Sequence, residues 1–282
     1  MMERQTEFAY AKINRFLRVT GRRPDGYHTL RTVMQTVSLR DRLTFFPLPG
    51  GDGLSFSCSD RALETEDNLC LVAAKRFSDA AGVRVSGKLR LDKRIPAGAG
   101  LGGGSADAAA VLRLLQKRYA FPLSERELLE LARTVGADVP FCLRGGKALC
   151  EGIGERISPM PDGKREAILL AKGEGSLSTP QMYRAIDAER EKNGFDGRTD
   201  DEGNDFEPAA RAFLPEIGTY LEKLLLLGAS ESRMSGSGSA VFGVFASDAS
   251  AKRAEAEFRR LAEKDSAGPV FTAVCSTVPR YE

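Results

Sequence analysis

Histidine is almost missing from this chain of 282 residues, with His28 its only example. That excludes a zinc site of the usual histidine type and any mechanism needing two imidazoles, so acid–base chemistry falls to Asp, Glu or Lys. Cysteine is sparse as well. The five cysteines, Cys58, Cys70, Cys142, Cys150 and Cys275, are odd in number and widely spaced, with no C-x-x-C pair. They argue against a disulfide framework or a thiolate metal site and read as buried, reduced thiols. The sequence has no run of about 18 apolar residues, the length a membrane helix needs. The opening MMERQTEFAYAK does not follow the charged, apolar and small-residue order of a signal peptide. A cytoplasmic protein with no membrane partner is expected. Neither sign of charge is in excess: charged residues make up 28% and the formal net charge is +2. Such a surface offers no broad footprint for nucleic acid, and any anion must be gripped locally.

Glycine, by contrast, is concentrated. Residues 96–105, PAGAGLGGGS, hold five glycines in ten positions and run straight into the helical segment ADAAAVLRLLQ. Glycine lets a backbone approach a ligand closely, and a following helix presents free N–H groups and a positive dipole end, so an oligophosphate is the expected guest. No Lys-Ser or Lys-Thr follows the last glycine, and the acidic partner of a dinucleotide fold is missing, so neither common nucleotide loop fits. A second cluster, Met234-Ser235-Gly236-Ser237-Gly238-Ser239, reads as another loop on the same phosphates or as a plain helix-to-strand connection.

The length suits two domains. Residues 8–17 alternate with period two, placing Tyr10, Lys12 and Asn14 on one strand face and Ala11 and Ile13 on the other. Further strands are expected at 31–39, 41–46 and 83–92, and a helix over 68–80 ending at Gly82. Ser124 to Glu127 has capping-box spacing and opens a helix that stops at Gly136. The segment GADVPF then reads as a turn carrying Asp138 into a short strand, because proline cannot continue a helix. Turn formers at 158–165 mark the boundary between halves, giving domains at 1–160 and 161–282. In the second half EAILLAKG reads as a strand, TPQMYRAIDAEREK as a helix and 194–205 as a polar surface loop. Helix, strand, helix and strand follow at 215–227, 239–246, 248–264 and 269–277. This alternation predicts an α+β sandwich with helices on one face of a sheet.

The stretches AKINRFLRVTGRRPDGYHTLRTV, DKRIPAGAGLGGGSADAAAVL, GADVPFCLRGGKALCEGIGE and RMSGSGSAVFGVF occur in the order found in the GHMP small-molecule kinases, which the chain resembles. The resemblance implies an α+β fold of two domains, a ribosomal-S5-like N-terminal domain and a ferredoxin-like C-terminal domain, with the active site in the cleft between them. It implies ATP as co-substrate and Mg²⁺ as cofactor. The DGYH segment and the GADVP form of the aspartate motif are similar to those of members acting on a small-molecule alcohol that carries a cytidine diphosphate group. By that resemblance Asp138 accepts the hydroxyl proton, and Lys12 holds Asp138 ionised and stabilises the transferring phosphoryl group. Asn14 orients the alcohol. Tyr27, His28 and Tyr183 form a cytosine pocket in which two aromatic rings flank the base and the histidine reads its edge. Asn68 and Lys93 lie near adenine and ribose. Pro96, Gly98, Gly100, Leu101, Gly102, Gly103, Gly104 and Ser105 form the phosphate loop, joined by Gly236, Ser237 and Gly238. The chain departs from the family's G-G-G-S-S by carrying Ala106. If that missing hydroxyl holds phosphate or magnesium, Ser105, Asp107 or water must substitute. The metal ligands are not readable.

Other readings are a GHMP kinase for a different alcohol, such as homoserine or a mevalonate derivative, and a non-catalytic nucleotide- or RNA-binding protein. DGYH and GADVP speak against the first, and Lys12, Asp138 and the charge balance against the second. A monomer or weak homodimer is expected.

Overall fold

The computed structural model describes residues 3–48, 51, 53–194, 202–264 and 270–281. They fall into two compact units that interleave along the chain, one drawn from residues 1–11, 40–97 and 102–145, the other from 12–39, 98–101 and 146–282. Two long paired strands, β1 (Gln5–Arg22) and β2 (His28–Pro47), each contribute to both units. The stretches read as strands at 31–39 and 41–46 are thus one strand. The polar Arg40-Asp41 pair that interrupts the apolar pattern is no break, because the Asp41 carboxylate is fully buried and satisfied by Lys93 and by backbone N–H groups.

In the first unit β3 (Leu54–Cys58), α1 (Leu69–Ala81) and β4 (Gly87–Asp92) form a β-α-β crossover, with β3 and β4 parallel. A parallel pair needs such a connection. Helix α1 ends at Gly82 in the left-handed region. Along β4 the side chains alternate, Leu89 and Leu91 inward and Lys88 and Arg90 outward, and the strand pairs antiparallel with β2 through Leu43 and Phe45. The strand expected from 83 begins only at Gly87, since the Val83 N–H is taken by Ser78 at the end of α1. Helix α2 (Gly103–Arg118) buries a run from Ala106 to Leu112; its small residues let it lie close against α1. Arg113 on α2 ties three elements, donating to Glu7 and the Phe8 carbonyl of β1 and to the carbonyl of Cys142. Helix α3 (Glu125–Val135) carries the full capping box, Ser124 accepting from the Glu127 N–H and Glu127 from the Ser124 N–H. The strand expected after Asp138 is instead helix α4 (Val139–Arg144). Pro140 stands in its first turn, where no N–H is needed, so proline starts this helix rather than forbidding it.

In the second unit β5 (Lys147–Gly152) pairs with β2 and with β6 (Arg156–Met160), two strands absent from the sequence reading; β6 takes in part of the turn-rich 158–165. Strand β7 (Ala167–Lys172) is buried throughout, as a central strand should be. Then come α5 (Thr179–Asn193), α6 (Glu207–Phe213), α7 (Glu216–Leu226), β8 (Glu231–Met234), β9 (Val241–Phe245), α8 (Asp248–Lys264) and β10 (Phe271–Ser276). The antiparallel sheet has the order β10-β7-β9-β8, with α7 and α8 packed on it through Tyr220, Leu224, Ala254 and Phe258. The short β8 and α6 also escaped the sequence reading. Of the expected loop 194–205, residues 195–201 lie outside the described residues, as does 269 of the expected last strand; Asn204 is buried rather than on the surface.

Replacing Ser124 by Ala removes one half of the capping box. The substitution should cost about 1 kcal/mol, read as a lower urea midpoint at unchanged m-value, and an unshifted midpoint would show that the cap does not limit the start of α3.

Candidate active site

The residues of the second unit hold two glycine loops back to back. Gly100 has φ +73°, and a Cβ there would collide with the Ser235 carbonyl and stand 3.1 Å from the backbone of Gly238. Only glycine fits, for reasons of both conformation and space. Side chain and backbone then lock the approach: Ser235 Oγ donates to the Gly100 carbonyl at 3.0 Å, and the Ala240 N–H donates to that of Ala99 at 3.1 Å. Strand β1 joins them, with the Asn14 N–H on Ser235 Oγ at 3.2 Å and the Lys12 N–H on the Leu101 carbonyl at 3.0 Å. Asn204, unmarked by the sequence reading, braces the second loop by donating from Nδ2 to the carbonyls of Met234 (2.9 Å) and Gly236 (2.8 Å). Its Oδ1 accepts from the Phe206 N–H ahead of α6. An Asn two residues before a helix-opening Phe-Glu-Pro was the available signal. Ser237 Oγ pairs with Thr179 Oγ1, and Gly98 and Gly104 are exposed.

The same strand places the side chains of Lys12 and Asn14 together: Lys12 Nζ donates to Asn14 Oδ1 at 2.8 Å, and Asn14 Nδ2 donates to Thr32 Oγ1 at 2.8 Å. All three residues are buried. Asn14 is therefore engaged in holding the ammonium.

In the first unit Gly102 caps α2 in the left-handed region, and the Ala106 N–H is the first to close a turn onto it, leaving the amides of Gly103, Gly104 and Ser105 without intrahelical partners. Asp138 occupies the N-cap position of α4 and is half-buried. Asn68 caps α1, accepting from the Cys70 N–H and donating to the Leu63 carbonyl. Lys93 is held internally, its ammonium bonded to Asp41 (2.5 Å) and Asp107 (2.8 Å) with its side chain 9% exposed. Burial would lower the Lys93 pKa, but the two carboxylates outweigh it and raise it. Burial pushes Asp107 up to about 7, with Lys93 opposing and the charge of Asp41 adding to the rise. Asp107 is thus turned into the protein and does not stand in for a serine at position 106, where Ala106 is itself buried.

The rings of the expected cytosine pocket are arranged differently from two rings around an open slot. His28 and Tyr183 stack on each other, 4.4 Å between centroids and 13° between planes, and Phe206 meets Tyr183 edge-on at 5.0 Å. His28 Nε2 donates to Asp187 Oδ1 at 2.7 Å. Asp187 sits four residues after Tyr183 on α5 and so shares its face, a spacing the sequence displays. Tyr27 is 63% exposed.

Family profiles match both parts of the chain, "GHMP kinases N terminal domain" over residues 68–146 and "GHMP kinases C terminal" over 181–264. The chain belongs to the GHMP kinase family. It is a phosphotransferase with ATP as co-substrate, of the α+β class its sequence implies. A family member of Desulfitobacterium hafniense called 4-diphosphocytidyl-2-C-methyl-D-erythritol kinase is 39% identical over 275 residues, 92% of this chain and 93% of its own. A crystal structure of 4-(cytidine 5′-diphospho)-2C-methyl-D-erythritol kinase superposes with a TM-score of 0.79 at 35% identity, covering 96% of this chain and 99% of that one. Homoserine kinase from Cytophaga hutchinsonii, at 16% identity and a TM-score of 0.70 over 99% of this chain and 96% of its own, shares the fold.

Two glycines of the first loop make a paired test. Gly100→Ala should destabilise the protein by about 2 kcal/mol or more, through the left-handed backbone and the collision with a carbonyl. Gly104→Ala should be neutral or stabilising by up to about 1 kcal/mol, since its Cβ would meet only Leu69 Cδ1 at 3.5 Å. Equal urea midpoints for the two variants would contradict the loop apposition.

Proposed function

We propose that this chain transfers the γ-phosphoryl group of ATP to the tertiary 2-hydroxyl of 4-(cytidine 5′-diphospho)-2-C-methyl-D-erythritol. The products are the 2-phosphate and ADP, in the non-mevalonate route to isoprenoid precursors. The observation that carries this reading is the likeness, over nine-tenths of both chains, to a relative bearing that activity in its name. Likeness to homoserine kinase at 16% identity speaks for the fold alone.

In this reading the two glycine loops take the triphosphate. Gly98, Gly100, Leu101 and Gly102 shape the first loop, Gly103, Gly104 and Ser105 offer helix amides to phosphate oxygens, and Gly236, Ser237 and Gly238 supply the second loop. Pro96 sets the entry. Transfer then needs in-line placement, neutralisation of the spreading phosphate charge, and removal of the hydroxyl proton as the new bond forms. Asp138 takes that proton. Lys12, held by Asn14, supplies the positive charge, and Asn14 acts on the alcohol through Lys12 as much as by direct contact. Asn68 and Lys93 support the nucleotide side from within the protein. On the cytidine side Tyr27 offers an exposed ring, while Tyr183 and Asp187 hold His28 so that it can read the base edge.

Mg²⁺ belongs to the reaction through ATP. The described residues contain no group of three or more His, Cys, Asp or Glu side chains able to hold a metal, and Asp107 is occupied by Lys93. Mg²⁺ carried by the ATP phosphates would help neutralise the charge that develops on the transferring group. Family domains at 1–160 and 161–282, a monomer or weak dimer, and a cytoplasmic location complete the proposal; no described helix is long and apolar enough to cross a membrane.

An ADP-release assay with a panel of alcohols tests the assignment: the cytidine-diphosphate substrate should be consumed, and homoserine and mevalonate should not. Turnover of either of those at a comparable kcat/KM would move the chain to another branch. Asp138→Asn should lower kcat by about 10² to 10⁴ with ATP affinity kept, and activity within threefold of the parent would remove Asp138 from its role.

A further inference from the structure

Asp41, Lys93 and Asp107 form a buried ion bridge whose members stand at the two ends of the first glycine loop. At the entry, Asp41 Oδ1 accepts the N–H groups of Arg94 and Ile95, the latter at 2.8 Å, just before Pro96. At the exit, Asp107 lies in the opening turns of α2. Lys93 Nζ joins the two carboxylates at 2.5 and 2.8 Å. A Cβ on Gly103, the first residue of α2, would stand 3.3 Å from Lys93 Nζ and 3.1 Å from Ile95 Cγ2, so entry and exit also touch directly. Asp107 Oδ1 is buried with no hydrogen-bond partner. A buried ion bridge with an orphaned oxygen is a poor source of stability, since apolar replacements are often neutral or better. Its placement calls for another explanation.

We infer that the Asp41–Lys93–Asp107 bridge is a positioning device for the phosphate loop, splinting its entry strand to the first turns of α2 so that the helix amides are set for ATP before it binds. The advantage is preorganisation, because a loop already closed loses less freedom when the ligand arrives. Lys93 and its partners are positioning residues, acting on phosphate through the backbone they hold.

The splint is complete only while Asp107 is ionised. The groups facing Asp107 are Lys93 at the loop entry, Asp41 on β2, Cys70 on α1 and Cys58 on β3. Burial raises both thiols, so they stay neutral around pH 7. Asp107, pushed up to about 7, is neutral below that pH and gives up its charge on Lys93; above it the bridge is whole. The affinity for ATP should therefore improve as pH rises through 7.

The inference rests on the reading of residues 96–105 as the phosphate loop, and shifts of the Gly103, Gly104 and Ser105 amide resonances on titration of ATP into the unaltered enzyme test that reading by itself. For the bridge, KM for ATP and KM for the alcohol are measured from pH 6 to 8.5 in the parent and in Asp107→Asn. The variant should raise KM for ATP by about 10-fold at pH 8 and leave KM for the alcohol within twofold. The ratio of variant to parent KM, which cancels the ionisation of ATP itself, should fall towards one at pH 6. A ratio of one at every pH in an active enzyme, or an equal rise in both KM values, overturns the bridge while leaving the loop assignment standing. Amide hydrogen exchange in the parent needs no variant: protection of Arg94 and Ile95, corrected for intrinsic rates, should weaken from pH 8.5 to 6, and constant protection overturns the proposal.

Discussion

The contact on which the site depends is the approach of two backbones too close for any side chain between them. Gly100 lies against Ser235 and Gly238 where a Cβ would overlap a carbonyl, and the bonds that hold this approach come partly from β1. The N–H groups of Lys12 and Asn14 pin one loop each, Leu101 for the first and Ser235 for the second. Side chains of residues two apart on a strand point the same way, so pinning those two amides also aims the Lys12 ammonium and the Asn14 amide. Loop geometry and the placement of the charge are thus one constraint.

The cations that the fold buries are met by defined acceptors, carboxylates for some and backbone carbonyls for Lys172. Lys93 is held by two carboxylates and Arg18 by Asp205 at 2.6 Å, and the acceptors of Lys12 include the amide oxygen of Asn14. The cysteines obey the same economy: all five are buried, and burial pushes Cys275 up to about 12, which leaves a neutral thiol.

What the sequence made legible was the part governed by local rules. Capping at Ser124, the glycine stop of α1, the alternation that pairs Lys12 with Asn14 and the glycine-dense loops each follow from a few neighbouring residues. What escaped depends on partners distant in the chain. Asp41 reads as a break in a strand until Lys93, 52 residues on, is seen to accept it into the interior. Asn204 reads as loop until its carbonyl partners thirty residues later are known. Pro140 misled because proline both ends and begins helices, and only the turn before it decides which. Lys93 carried a family position but no hint that its ammonium would be occupied by carboxylates.

The aromatic cluster lets magnitudes weigh two ways of seating the proposed base. A base inserted between His28 and Tyr183 would have to spread their 4.4 Å centroid spacing to about 9 Å, two ring spacings, while disturbing the edge contact with Phe206 and the bond to Asp187. Each ring pair is worth about 0.5 to 1.5 kcal/mol and the charged hydrogen bond about 1.5 to 3. A base–aromatic stack returns about 1 to 3 kcal/mol, so insertion gains little even when it forms two. Stacking on Tyr27, which is already 63% exposed, breaks none of these contacts. In the proposed cytidine site Tyr183 would act at one remove, since its ring stacks on His28 and fixes the plane of that imidazole. With Nε2–H committed to Asp187, Nδ1 is the ring nitrogen left to face the edge of the proposed base.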